Sequence, residues 1–120
     1  MYAEALRAVE DYLEGPYRIR RRDGSAEQRA QITTWLSDVK SRINYYEALM
    51  DLHAPGDVAA FYTDFVKAAQ SEAGTQMTDA WNMPPTTEDA QVPLGQAYDR
   101  SGSSRARRLV VDAMRSELQG

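Results

Sequence analysis

A chain of 120 residues with 42% hydrophobic and 27% charged side chains has the make-up of one soluble folded domain, not a disordered segment. Its net charge of −4 argues against a general nucleic-acid binder, and the absence of cysteine excludes disulfides and thiolate metal sites. Apolar runs of three or four residues exclude a membrane-spanning helix, and the acidic, periodic start MYAEALRAVEDYLEG does not read as a secretory signal.

Residues 2–14 predict an amphipathic helix, with Tyr2, Leu6, Val9 and Leu13 on one face. Gly15-Pro16 should stop it. Tyr17-Arg-Ile-Arg-Arg-Arg22 then alternates as an extended segment would, and Asp23-Gly24 signals a tight turn. A very short β-hairpin or extended turn is therefore expected over 17–25. Ser25 followed by Gln28 has the form of a capping box, so a helix starts at residue 26. Ile32, Leu36, Val39, Ile43, Tyr46, Met50 and His53 recur at alternating spacings of four and three, a heptad-like seam that predicts a long helix over 26–53. Trp35, Leu49 and Leu52 widen that stripe, and Ala54-Pro55-Gly56 ends it.

Asp57 is the expected N-cap of a helix over 58–73, whose buried face carries Val58, Phe61, Tyr62, Phe65, Val66 and Ala69. Gly74 should close it, completing a helical core domain over 1–74. The Pro-, Gly- and Ser/Thr-rich stretch 75–104 predicts an extended arm or loop, anchored by Trp81 and Met83. A last helix is expected over about 105–118 within a C-terminal segment 105–120, burying Leu109, Val110, Ala113, Met114 and Leu118. The fold class is thus mainly α.

Catalysis is not expected, and neither is a cofactor. His53 is the sole histidine and reads as a capping or edge-of-core residue, and no metal-ligand or phosphate-cradle motif occurs. Glu88-Asp89 reads as a solvated pair. Charge, in contrast, is unevenly placed: residues 15–29 and 100–120 each sum to +3, while residues 54–99 sum to −6. Arginine outnumbers lysine 12 to 2, which favours planar contacts to carboxylate or phosphate.

Arg18, Arg20, Arg21 and Arg22 are candidates for contact with an anionic surface, either phosphate or a partner's carboxylates. Their alternative is a solvated, aggregation-resistant edge. Arg105, Arg107 and Arg108 fall in the first turn of the expected last helix, where the macrodipole disfavours cations. An acidic partner would offset that cost, and the 54–99 region of a neighbouring copy is one candidate. Trp81 completes the set of interaction residues.

From residue 3 to about 52 the ordered features resemble those of the small head–tail joining proteins of tailed bacteriophages, the lambda W type. These features are a short helix ending in Leu13-Glu14-Gly15, the step Tyr17-Arg18-Ile19, a turn at Asp23-Gly24, the cap at Ser25, and a long helix with Tyr45-Tyr46-Glu47 late in it. The resemblance implies a helix–hairpin–helix fold assembled as a homo-oligomeric ring in the neck of the virion, between portal and tail proteins. It implies a structural protein, assembled in the host cytoplasm, with possible local contact to packaged DNA and no membrane partner. The competing expectation is a small acidic inhibitor or adaptor that binds a host protein.

Overall fold

The computed structural model describes residues 1–85 and 98–120 and is all-α, with no strand among them. Five helical segments follow in order: α1 (Tyr2–Leu13), α2 (Gly15–Arg20), α3 (Ala26–His53), α4 (Gly56–Trp81) and α5 (Ser101–Gln119). They form an elongated body of 51 × 27 × 20 Å. α3 and α4 make a long antiparallel hairpin. The bent α1–α2 unit lies against both, and α5 rests mainly on α4.

α1 packs closely because it presents small residues. Ala5, Ala8 and Val9 are fully buried, and the Tyr62 hydroxyl of α4 donates to the Ala5 carbonyl at 2.9 Å. From α3, Ile32, Val39, Ile43 and Met50 enter the core, as the heptad seam requires. Leu36 and Tyr46 are only partly covered, and His53 is exposed at the helix end. The boundaries of α3 follow from its local chemistry. Ser25 Oγ accepts from the Gln28 backbone N–H at 3.1 Å, and Gly24 takes φ +87°, a backbone conformation that suits glycine. The box is not reciprocal, however. The Gln28 side chain accepts from the Asp23 N–H instead, and Asp23 Oδ1 accepts from Ser25 N–H at 2.8 Å.

Several expectations are corrected. Tyr17–Arg20 is helical, not extended, so no hairpin strand forms there. Gly15-Pro16 bends the chain and restarts the helix instead of ending it, because proline at the first helical turn needs no N–H partner. A Cβ on Gly15 would lie 2.7 Å from Met77 Sδ, so a larger residue here would force the Met77 side chain to shift where α2 sits on α4. Ile19 is then fully buried.

Next, α4 passes through Gly74 and continues to Trp81. Met77 and Ala80 bury along this extra length, and that apolar contact outweighs the modest helix penalty of one glycine. Asp57 is not the cap but lies inside the first turn, after Pro55 and Gly56. The expected arm 75–104 is therefore helical at both ends, and its centre, with Glu88-Asp89, lies outside the described residues.

Finally, α5 begins four residues earlier than expected. Its start is set from a distance by Glu72 of α4. Glu72 Oε1 accepts from the Ser103 N–H at 2.6 Å and Oε2 from the Ser103 hydroxyl at 3.1 Å, which places a carboxylate at the positive helix end. Glu72→Ala should cost about 1–2 kcal/mol of the stability of α5, as loss of a helix cap does. Amide hydrogen exchange should show faster exchange over residues 101–106 with α1 and α3 unchanged. Uniform acceleration across the chain would contradict this local capping role.

Candidate interaction site

The structure sorts the arginines into those that hold the fold together and those that face outward. Arg22 is 95% buried, its side chain folded inward from the α2–α3 turn. Its guanidinium donates to the carbonyls of Ile19 (2.8 Å), Ala80 (3.1 Å), Trp81 (3.2 Å) and Met83 (2.6 Å). These carbonyls lie at or just beyond the ends of α2 and α4. Those of Ile19 and Ala80 already accept the backbone N–H of Arg22 and Met83, so the cation adds a further donor and ties the two helix ends together. Burial and then the nearby Arg29 lower its pKa from the ordinary arginine value. Arg22 and Arg29 also flank the Trp81 ring, at 4.9 and 5.2 Å from its centroid. Met83, expected as an anchor with Trp81, holds the chain through its carbonyl while its side chain is exposed.

The rest of the first cluster is also engaged. Arg18 stacks 4.2 Å above the Trp35 ring, and Arg21 pairs with Glu14 at 2.9 Å. Arg20 is half-buried and has a partner within the fold. The helical form of α2 explains this division. It directs consecutive arginines around the helix instead of aligning them on one strand face, so each meets a different neighbour.

Arg100 acts about one helical turn along α4 from the Arg22 site. It donates to the Leu13 carbonyl at 2.7 Å and to the Gln76 side chain, and lies near the rings of Tyr17 and Tyr98. It joins α1, α4 and the start of α5. The sequence holds no local signal for that role, since Leu13 is 87 residues away.

In α5, Arg107 pairs with Glu10 at 2.8 Å. Arg105, Arg108 and Arg115 are exposed and meet no carboxylate or ring among the described residues. The earlier helix start moves Arg105 out of the first turn, where the dipole penalty is concentrated. Leu109 (46% exposed) and Leu118 (77% exposed) lie alongside this row.

Opposite charge gathers at the α3–α4 corner. A groove of about 480 Å³ is lined by Asp51, Ala54, Gly56, Ala59, Ala60 and Asp64, among others. Beside it, burial and then Asp51 raise the pKa of Glu47, while Lys67 partly opposes the rise. No group of three or more potential metal ligands occurs among the described residues, and no described helix is long and apolar enough to cross a membrane. The fold thus defines an all-α protein with an exposed arginine row on α5 and a carboxylate-lined groove at the α3–α4 corner. Compared with known proteins, the chain matches no family model, no curated relative and no solved structure.

Two measurements follow. Arg22→Met should destabilise by about 2–4 kcal/mol, because buried carbonyls lose a charged donor. Arg22→Lys should recover less than half of that in urea denaturation, since a single ammonium cannot reach four carbonyls. A lysine variant as stable as the parent would show that charge alone suffices. For Glu47, a raised folded-state pKa means the native state holds its proton to higher pH than the unfolded chain. Its contribution is therefore fully present below the unfolded value and is lost as pH rises through the folded one. Glu47→Gln should be more stable than the parent near neutral pH and lose that advantage on acidification. A stability difference independent of pH would refute the burial effect.

Proposed function

We propose that this chain is a structural virion protein of a tailed phage, a head–tail joining component that works by fitting against other proteins and performs no chemistry. The observation that carries this reading is the ordered arrangement on which the resemblance rests. A short amphipathic helix ends at Leu13, a left-handed turn sits at Gly24, and a 28-residue helix starts behind the Ser25 cap. The helical α2 replaces the hairpin strand of that likeness, and it removes Arg22 from the proposed contact residues. The contacting groups are then the outward arginines of α5, with Arg18 in the last turn of α2, exposed over Trp35.

In this reading the neighbours are portal or tail proteins and further copies of the chain in a ring, with packaged DNA as a local contact. The second reading, an acidic adaptor for a host protein, draws on the carboxylates Asp51 and Asp64 that flank the corner groove. Mass spectrometry of purified particles, combined with deletion of the coding sequence, separates the two. The joining role requires the chain in virions and unjoined heads and tails in its absence. Complete infectious particles without the chain would refute it, and recovery in a discrete complex with one host protein would establish the adaptor.

A further inference from the structure

We propose that the outward face of α5 docks into the α3–α4 corner groove of a second copy of this chain. This deepens the assembly reading above and rests on it only for the premise that copies meet. The α5 face carries three exposed arginines, Arg105, Arg108 and Arg115, without an ionic partner among the described residues. The corner presents Asp51 and Asp64 in the lining of the groove, likewise outside every ion pair described.

Arg108 and Arg115 are seven residues apart on α5, and two helical turns place them on one face, roughly 10.5 Å apart along the axis. The groove can also admit a helix. Its floor of Ala54, Gly56, Ala59 and Ala60 allows close approach, and a Cβ on Gly56 would meet nothing within 4 Å. Leu109 and Leu118 bring the apolar area that such a floor would cover.

The row and the groove of one molecule cannot satisfy each other, because α5 packs on α4 while the groove runs between α4 and α3. Two different patches that complement each other make a heterologous contact, which propagates into a ring or a filament. A polyanion such as DNA is a poorer fit, since a chain of net charge −4 repels it outside the α5 face.

The test is native mass spectrometry and sedimentation of the full chain, with two charge-reversal variants, Arg108→Glu/Arg115→Glu and Asp51→Arg/Asp64→Arg. All four positions are partly or fully exposed, and circular dichroism checks that the variants remain helical. The parent should form multimers at low salt that dissociate as salt is raised and the charges are screened. Each variant alone should have the mass of one chain. An equimolar mixture of the two should regain multimers in which the variants alternate, because each reversed row then meets a groove of opposite sign.

A parent that stays a single chain at low salt would overturn the proposal, as would variants that assemble like the parent or a mixture that fails to reassemble. Parent multimers unaffected by either variant, with DNA retention lost in the α5 variant, would assign the row to phosphate instead. The outcome is separable from that of the joining role. Copies that assemble by this contact but are missing from particles would leave the contact standing and remove the function. Copies present in particles but indifferent to the reversals would do the opposite.

Discussion

Much of the structure depends on the buried guanidinium of Arg22. Two helices end within a few ångströms of each other, and each leaves carbonyls without intrahelical donors. Ile19 and Ala80 are buried there, and their carbonyls accept from the guanidinium in addition to a backbone N–H. A planar group with five donors can meet acceptors on several sides at once, which an ammonium cannot. That single residue fixes where α4 stops, how the α2–α3 turn is placed and where Trp81 lies. The same logic recurs with Arg100, which ties Leu13 of α1 to Gln76 of α4 just before α5 begins. An arginine-rich chain of net negative charge is thus explained first by its own helix ends.

With those roles taken, the outward surface becomes easier to interpret. The α5 row costs little to hold in solvent, but it gains nothing from its own chain. The corner groove shows the converse pattern: Asp51 and Asp64 over small side chains, beside a Glu47 whose pKa is raised by burial first and by Asp51 second. Each surface would be relieved by the other. A closed contact would neutralise like-charge repulsion on both sides and cover Leu109 and Leu118 at the same time.

Much of the architecture was legible in the residues. α3 could be bounded at both ends because its start carries a hydroxyl cap after an Asp-Gly turn and its end carries Pro55-Gly56, signals that act within a few residues. α1 showed its apolar stripe for the same reason. α2 was not legible, since six residues are too few to display a helical period and Tyr-Arg-Ile-Arg alternates like a strand. Its helical form is imposed by the burial of Ile19 and the close seat of Gly15 on Met77. The length of α4 and the start of α5 depend on Arg22 and Glu72, whose partners are 31 to 61 residues away. Such pairings leave no mark in local spacing. The division of the arginines was hidden likewise: the cluster was visible, but its inward and outward members were not.

The central claim is this division between internal anchors and outward contact residues. Its most direct measurement is residue-resolved modification of guanidinium groups by a dicarbonyl reagent, followed by mass spectrometry, on the dilute and the assembled protein. The account requires Arg22 and Arg100 to be protected in both, and Arg105, Arg108 and Arg115 to react readily when dilute and slowly once copies associate. Arg22 reacting as fast as Arg115 in the folded, dilute chain would contradict it.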